Sequence, residues 1–326
     1  MGDKQASGKL RGAILAAGKG SRVDVFGEEF PKPLLPVCNK PILQYQIELM
    51  RDHGITDIAI VVGHLKKQII DYFGDGGAHG VTLEYVEQEN MLGIAHAVGQ
   101  LEGIMDRPFL LFLGDIFSVI PDLDRLLART LADPQVSVLA VRSGDTPENI
   151  RRNFAVVTGE KDRVQRVIEK PRHIEQRLKG AGIYLFALPV FDAIRRTPRT
   201  AMRDEYEITN SIQILIEDGY PVYAEDVVEW DLNLTYIEDL LECNLRMMRH
   251  LGEDNVIAPT ARIPEGCAVE HSVIGENVII DNPIRIRNSL ILPDTHVRNV
   301  GDLVNALKSE KVTMDFSGAS FLEDFA

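Results

Sequence analysis

A glycine-rich loop near the start of the chain combines residue types that can hold a polyphosphate. Gly18-Lys19-Gly20-Ser21-Arg22 directly follows the apolar run Ala13–Ala17. A buried strand that ends in such a loop offers backbone N–H groups and two cationic side chains to an anionic ligand. Val23 stands where a dinucleotide-binding loop has its third glycine, and a Walker Gly-Lys-Ser or Gly-Lys-Thr is absent. The loop therefore indicates a phosphate site of another kind or a tight strand-to-helix turn.

Charged residues also follow two later apolar runs. Asp115 lies just beyond the all-apolar Phe109–Leu113. The carboxyl end of a buried parallel strand faces the ligand crevice, and a carboxylate there suits Mg²⁺, although capping of the next helix is the alternative. Glu169 and Lys170 follow Val167-Ile168, and taken alone they are an ordinary charged pair at the surface end of a strand.

Apolar runs and helical patterns alternate ahead of these residues. Leu43, Ile47 and Met50 recur at helical spacing before Gly54. Continuous apolar runs are typical of strands buried on both faces, and they occur at Ala13–Ala17, Ile58–Val62, Leu83–Val86 and Phe109–Leu113. Helical stretches around 68–73 and 95–104 separate the later runs. This βαβαβ pattern predicts an α/β fold with a Rossmann-like, mostly parallel sheet.

Beyond Glu253 the pattern changes to a shorter repeat. Aliphatic residues stand six apart, except for one step of five, at Ile257, Ile263, Val269, Ile274, Ile280, Ile286 and Leu292. No helix has this period, whereas the hexapeptide repeat of a left-handed β-helix does, with irregular β-structure as the alternative. Coils of about 18 residues would allow two or three coils. We expect a tail over 1–10, an α/β domain over 11–252, a β-helix over 253–300 and a tail over 301–326.

Composition limits the classes of partner. The 326 residues carry a net charge of -14, which opposes binding to a nucleic acid backbone. The three cysteines are far apart and predict neither a disulfide framework nor a zinc site. No apolar stretch has the length of a membrane span, and the polar start does not resemble a signal peptide, so a cytoplasmic protein is expected.

The first motif as a whole identifies a family resemblance. Leu15-Ala16-Ala17-Gly18-Lys19-Gly20-Ser21-Arg22, then Pro31-Lys32-Pro33-Leu34-Leu35-Pro36-Val37 and Lys40-Pro41-Ile42, closely resemble the signature of sugar nucleotidyltransferases. These include thymidylyl-, guanylyl- and uridylyltransferases acting on sugar 1-phosphates, and the resemblance covers roughly residues 11 to 250. It implies that Leu15, Ala17, Gly18, Lys19, Gly20 and Ser21 bind the triphosphate, while Arg22 and Lys32 neutralise its charge. Val23–Glu29 departs from the pattern, because it lacks a proline and threonine found in many relatives.

Two further segments resemble the nucleotide side of these enzymes. Glu87–Ala97 is similar to the base-recognition segment, which implies that Gln88 contacts the base and Gly93 lets it approach. A glutamine amide offers one donor and one acceptor, which complement uracil or thymine and predict UTP or dTTP. If the register is shifted by one, Glu89 contacts the base and a guanylyltransferase is the alternative. Leu113-Gly114-Asp115 resembles the family's Gly-Asp, whose carboxylate ligates Mg²⁺.

The second half of the chain resembles the acceptor side. In Val167-Ile168-Glu169-Lys170-Pro171 the resemblance assigns Glu169 to sugar hydroxyls and Lys170 to the sugar phosphate. Gly182 and Tyr184 match the sugar pocket, and so does Glu205, although Glu205 and Glu207 also suit the acidic start of a helix over Ile208–Glu217. Ala155 stands where relatives carry glycine, so its methyl group would lie beside the sugar.

The second metal ligand has two candidates. Trp230-Asp231-Leu232-Asn233 occupies the place of the family's Trp-x-Asp, and alignment from the downstream Asp239-Leu240-Leu241 selects Asn233. Uridylyltransferases use an asparagine here, and an amide oxygen is an acceptable hard ligand. Asp231 remains the rival.

The resemblance implies a Mg²⁺-dependent nucleotidyltransferase that joins a nucleoside triphosphate to a sugar 1-phosphate and releases pyrophosphate. The alternatives are a cytidylyltransferase acting on a phosphonate or a phosphocholine-like acceptor, a guanylyltransferase and a non-catalytic nucleotide sensor. A bifunctional acetyltransferase would need a longer β-helix than 253–300, so we expect this segment to assemble a homo-oligomer.

Overall fold

The computed structural model describes residues 8–18, 30–173, 178–200, 204–298 and 301–325. The predicted nucleotide-binding residues Lys19, Gly20 and Ser21 and the predicted catalytic Arg22 lie outside these ranges. Two compact units are present. The first comprises Met1–Lys19 and Tyr45–Asp231, and the second comprises Gly20–Gln44 and Leu232–Ala326. The second unit therefore combines a segment next to the glycine loop with the C-terminal strands.

The chain forms eight α-helices within the described ranges. In order they are α1 Ile42–Asp52, α2 Lys66–Phe73, α3 Ile94–Gly99, α4 Leu123–Ala132, α5 Pro147–Arg152, α6 Val190–Arg196, α7 Ile208–Glu217 and α8 Ile237–His250. The helix predicted over 95–104 ends at Gly99. Beyond it, the N–H groups of Leu101 and Glu102 bond three residues back, so the chain continues in a tighter turn.

Thirteen strands precede the C-terminal repeat. They are β1 Arg11–Ala16, β2 Pro36–Val37, β3 Lys40–Pro41, β4 Asp57–Val62, β5 Thr82–Glu87, β6 Phe109–Leu113, β7 Ile116–Val119, β8 Ser137–Ser143, β9 Phe154–Thr158, β10 Val164–Glu169, β11 Leu178–Phe186, β12 Val222–Asp226 and β13 Trp230–Asn233. Single short 3₁₀ helices also occur, among them Lys32–Leu34.

A nine-stranded sheet forms the centre of the first unit. Its main path runs β10-β9-β11-β6-β1-β4-β5, with β8 pairing β11 and β12. Strands β1, β4, β5 and β6 are mutually parallel, whereas β11 runs antiparallel to β6. The parallel half contains the continuous apolar runs, and residues such as Ile14 and Leu111 are fully buried there. The prediction of a mostly parallel α/β sheet is therefore confirmed, with antiparallel strands added from the second half of the chain.

In the second unit, α8 holds the hairpin formed by β2 and β3. The fully buried Asn244 accepts a hydrogen bond from the Cys38 N–H at 2.8 Å and donates to the Pro36 carbonyl at 3.0 Å. Cys38 and Asn39 form the tight turn with positive φ values of 47° and 63°. One amide side chain thus fixes the loop just after Lys32–Leu34.

Ten short strands follow α8, and the first nine of them pair in parallel ladders. They are β14 Val256–Ile257, β15 Ala268–Glu270, β16 Val273–Ile274, β17 Ile279–Ile280, β18 Arg285–Arg287, β19 Leu290–Ile291, β20 His296–Val297, β21 Leu303–Val304, β22 Ala306–Lys308 and β23 Thr313–Asp315. Val256, Val273, Leu290 and Leu307 pair in register, which places successive coils 17 residues apart. Each coil is one residue shorter than the expected length of about 18, because one of its steps between aliphatic residues spans five residues instead of six.

Strands continue into the segment predicted as a C-terminal tail. Leu303 and Leu307 are buried 17 residues after Ile286 and Leu290, so residues beyond Gly301 form part of a further coil. Strand β23 then pairs antiparallel with β22. Within the described ranges, no helix has both the length and the apolar character that a membrane crossing requires.

Candidate functional site

Three parallel strands of the first unit end side by side at the predicted phosphate loop. Leu15 pairs with Val61 of β4 and Leu113 of β6, and its carbonyl accepts the Gly114 N–H at 2.9 Å. Gly63 follows β4, and a Cβ there would lie 2.8 Å from the Ala17 carbonyl oxygen. Glycine is therefore required at position 63 for the close approach of this segment to Ala17.

The backbone at Gly18, two residues after the end of β1, is accessible. Gly18 is exposed, and a Cβ built on it would have no atom of the described residues within 4 Å. Ala17 is buried and Leu15 is half-buried. The described part of the predicted nucleotide-binding segment thus lies at the carboxyl ends of parallel strands, where ligands of such sheets bind.

Asp115 lies in the turn between β6 and β7, and a buried glutamine holds that turn. Gln46 of α1 donates from Nε2 to the carbonyl of Leu113 at 2.9 Å and to that of Ile116 at 3.1 Å. Both backbone acceptors flank Asp115, so one side chain restrains the turn from both sides. Among the described residues, Asp115 has no ion-pair partner, and its half-buried carboxylate can bind a cation. No local sequence pattern identifies Gln46, because its hydrogen-bond partners are 67 and 70 residues further along the chain.

Gln88 is at the end of β5, one strand further along the sheet. Its N–H donates to the Val62 carbonyl at 2.8 Å, and its side chain is buried at 4% exposure. Its Nε2 lies 2.8 Å from Nδ1 of His96 on α3. The neighbouring Glu89 is exposed. The side-chain amide of Gln88, predicted to contact the base, is therefore buried and lies against the ring of His96.

Gly93 brings the predicted base segment against the predicted acidic segment. It has a φ of 105°, and a Cβ there would lie 2.6 Å from the Tyr206 carbonyl oxygen. The Tyr206 N–H donates to the Leu92 carbonyl at 2.7 Å, and the Ala95 N–H donates to the Tyr206 carbonyl at 3.0 Å. The half-buried Glu205 is thereby fixed beside Gly93. Glycine at position 93 is thus required by protein packing.

Glu169 and Lys170 lie together at the end of β10. The Glu169 Oε2 accepts the Thr209 hydroxyl at 3.3 Å, which links it to the start of α7. Lys170 is exposed, and its backbone has a left-handed φ of 42° while its N–H donates to the Asn153 carbonyl at 2.9 Å. Because this φ is uncommon for a lysine, the chain leaves the strand in a fixed direction at this residue.

Tyr184 and Ala155, which the resemblance places at the sugar pocket, are both buried. The Tyr184 ring is 1% exposed and stacks between Phe154 and Phe186 at centroid distances of 6.1 and 5.2 Å. Burial, with the charges of Glu169 and Glu207, raises the pKa of its phenol. Ala155 is also buried, in the sheet. Both side chains pack in the core. The motif predicts the residue types but not the face of the strand that each side chain occupies.

Gly182 has a packing role next to the Asp115 turn. It adopts a φ of 71°, and a Cβ there would lie 2.6 Å from Cδ1 of Ile116 and 3.1 Å from Cδ1 of Leu113. A larger residue would therefore press on both ends of the turn that carries Asp115.

A buried ion cluster engages Asp231, the rival metal ligand. Lys179 is 3% exposed, and its Nζ lies 2.7 and 2.8 Å from the two oxygens of Asp231 and 2.7 Å from Asp145. Arg142 lies 3.7 Å from Asp231. Burial alone would raise the pKa of Asp145, but hydrogen bonds from Lys179 and Asn149 and the charges of Lys179 and Arg142 hold that pKa below its usual value. Asp231 is therefore committed to an internal ion pair.

Lys32 and Asn233 belong to the second unit. Lys32 begins the 3₁₀ helix Lys32–Leu34 and is half-buried. Asn233 is exposed, and its Oδ1 accepts the Thr235 hydroxyl at 3.3 Å. The Asn233 amide oxygen is therefore at the surface and retains acceptor capacity for a cation.

Replacing Lys179 with methionine should destabilise the fold, because two buried carboxylates then lose their main countercharge. We expect a loss of about 3–5 kcal/mol at pH 7 in urea unfolding. The ion pair of Asp145 stabilises the fold fully above the ordinary carboxyl pKa of about 3.9. This stabilisation is lost as the pH falls through the lowered pKa that Asp145 has in the folded protein. The difference between variant and wild type should therefore shrink in acid. The exposed Lys67→Met is the matched control, and equal stability of the two variants would contradict the cluster's role.

Comparison with known proteins agrees with this geometry. A family model described as nucleotidyl transferase matches residues 11–245. The chain is 31% identical over 288 residues to a glucose-1-phosphate thymidylyltransferase of Streptomyces antibioticus, covering 87% of this chain and 76% of that protein. It is 33% identical to a UTP–glucose-1-phosphate uridylyltransferase of Haloferax volcanii, covering 73% of this chain and 96% of that protein.

The match to a third relative covers only part of that protein, and a solved structure has the same fold. A low-salt glycan biosynthesis nucleotidyltransferase of Haloferax volcanii is 34% identical over 72% of this chain, but the match spans only 65% of that protein. The solved structure of UDP-glucose pyrophosphorylase with UDP-glucose superposes with a TM-score of 0.64 at 22% identity, covering 74% of this chain and 99% of that chain.

Proposed function

Because the chain belongs to the nucleotidyl transferase family, we propose that it transfers a nucleoside monophosphate from a nucleoside triphosphate to a sugar 1-phosphate and releases pyrophosphate. The observation that carries this proposal is the convergence of Leu15–Gly18 with the Asp115 turn at the carboxyl ends of β1 and β6. A backbone that can bind phosphate and a carboxylate that can bind a cation meet there. UTP or dTTP is the proposed donor.

The triphosphate requires positive charge, which the protein as a whole does not supply at a net -14. We assign its local neutralisation to Arg22 and Lys32, with the backbone of Leu15–Ser21 as donor of hydrogen bonds. Asp115 and Asn233 would hold Mg²⁺, which would neutralise further charge on the phosphates when bound. The donor set fits this ion, because Asp115 has no ion pair in the described chain and Asn233 is exposed, whereas Lys179 occupies Asp231.

The acceptor binds from the side of Glu169 and Lys170. Lys170 would bind the sugar phosphate, and Glu169 and Glu205 would accept hydrogen bonds from sugar hydroxyls. An oxygen of the sugar phosphate attacks the α-phosphorus, the bond to the bridging oxygen breaks in line, and pyrophosphate leaves with that electron pair. The protein needs no covalent nucleophile, since positioning and charge neutralisation supply the catalysis.

The C-terminal coils form, in this proposal, a short left-handed β-helix that joins copies of the chain. Its parallel ladders at an offset of 17 residues support the assignment. Strand β14 is at the edge of its sheet, and Ile257 in it is 43% exposed. An apolar side chain at an unpaired edge favours association.

A pyrophosphate-release screen tests the function directly. UTP, dTTP, CTP, GTP and ATP are each paired with a panel of sugar 1-phosphates and phosphonates. Release that requires both UTP or dTTP and a sugar 1-phosphate supports the proposal, whereas release only with a phosphonate or only with GTP overturns it.

Asp115→Ala should abolish turnover while leaving the protein folded, because it removes a metal ligand from a turn rather than a core side chain. The kcat should fall at least about 100-fold at saturating Mg²⁺. Asn233→Ala should raise the Mg²⁺ concentration needed for half-maximal rate, whereas Asp231→Ala should mainly lower the melting temperature. Wild-type kcat in Asp115→Ala would refute the metal assignment.

Lys170→Ala should raise KM for the sugar 1-phosphate and lower kcat, with little change in nucleotide affinity, because its ammonium group contacts only the acceptor. Calorimetry with UTP and steady-state kinetics measure the two effects. Arg166→Ala removes an exposed cation from the same strand and serves as the control. A loss of nucleotide affinity with unchanged acceptor kinetics would contradict the role.

Light scattering of the full chain should give at least twice the 36.4 kDa mass of one chain. Ile257→Glu introduces charge at the exposed edge and should shift the mass toward that of a monomer without changing secondary structure. A monomeric mass for the wild type would exclude the proposed assembly.

A further inference from the structure

His96 fixes which way the Gln88 side-chain amide faces. The 2.8 Å separation joins the amide nitrogen of Gln88 to Nδ1 of His96. An amide nitrogen can only donate, so Nδ1 must accept and the proton of the neutral ring is on Nε2. Among the described residues, the Gln88 Oε1 has no hydrogen bond, which leaves that oxygen and the second N–H for a ligand.

The histidine ring is itself held in place. It stacks on Tyr206 with centroids 6.3 Å apart and an interplanar angle of 22°. Tyr206 is fixed through backbone hydrogen bonds to Leu92 and Ala95. Burial lowers the pKa of His96, which favours the neutral ring, and in a neutral ring one of the two nitrogens can accept a hydrogen bond. The Gln100 amide donates to the His96 backbone carbonyl at 3.1 Å and approaches the ring only at 3.5 Å, which is long for a hydrogen bond.

The direction of this amide has a chemical consequence for the base. Uracil and thymine present an N3–H donor beside a carbonyl acceptor, whereas cytosine presents an N3 acceptor beside an amino donor. An amide that places its oxygen toward N3 and its N–H toward position 4 pairs with uracil or thymine. Rotating the amide by 180° exchanges oxygen and nitrogen, and the same side chain then pairs with cytosine.

We propose that His96 is a positioning residue that, by accepting a hydrogen bond from Gln88, holds this amide in the direction that selects uracil or thymine over cytosine. This inference rests on the proposed function and on the prediction, implied by the family resemblance, that Gln88 contacts the base. In this proposal His96 acts on the base only through Gln88.

The experiment compares kcat/KM for UTP, dTTP and CTP with a fixed sugar 1-phosphate in wild type, His96→Phe and His96→Ala. Phenylalanine keeps a flat ring against Tyr206 but removes the acceptor nitrogen. Both variants should lose roughly tenfold in the preference for the better of UTP and dTTP over CTP. The KM for the sugar 1-phosphate should not change. Gln100→Ala is the matched control, because it removes the other amide near His96, and it should keep the wild-type preference.

Gln88→Ala separates failure of this inference from failure of the proposed function. If Gln88→Ala reduces the preference and neither His96 variant does, His96 does not orient the amide and the inference is wrong while base recognition by Gln88 stands. If Gln88→Ala leaves the preference unchanged, or if wild type uses neither UTP nor dTTP, base recognition by Gln88 is wrong and the inference falls with it. Equilibrium binding of UTP and CTP to the same variants repeats the comparison without turnover. A loss of affinity equal for both nucleotides would show a merely structural role and overturn the inference.

Discussion

The architecture of the first unit depends on how closely the ends of β1, β4 and β6 approach one another. Gly63 permits the approach to Ala17, where a Cβ would meet the carbonyl oxygen at 2.8 Å. The Gly114 N–H bonds to Leu15 on the other side of β1. Parallel strands with both faces covered leave only their ends for a ligand, so these short distances determine where phosphate-binding backbone and a carboxylate can meet.

Buried polar side chains also restrain the backbone of the first unit through partners that are distant in sequence. Gln46 restrains the backbone on both sides of Asp115 from a position 67 residues before Leu113. Lys179 holds the start of β13 through Asp231, 52 residues later. The side-chain nitrogens of Gln46 and Lys179 are buried and donate hydrogen bonds to these partners. Leaving a buried acceptor or carboxylate unpaired would be costly, so these contacts confine the backbone to one arrangement.

The sequence predicted the elements whose signal is local. Phe109–Leu113 and Ile208–Glu217 have the predicted bounds, because continuous apolar runs and acidic helix starts are visible without tertiary information. Lys179 and Gln46 could not be found this way, since their partners are distant in sequence. The motif that contains Tyr184 predicts a residue type, whereas the burial of its ring depends on packing against Phe154 and Phe186. The order of the motifs along the chain predicts the site. The exposure of the side chains in these motifs is not predictable from the sequence, because it depends on tertiary packing.

The offset of 17 residues in the C-terminal ladders limits how this part of the chain can change in length. His271, Asn288 and Asn305 occupy equivalent left-handed corners, and Ser272 and Ser289 repeat one coil apart. Inserting or deleting one whole coil would preserve every corner and every inward-facing aliphatic residue, because each coil contacts only its neighbours. A change of any other length would turn aliphatic residues outward. Gene duplication within this segment can therefore lengthen the protein only by whole coils of 17 residues if the ladder pattern is to be kept.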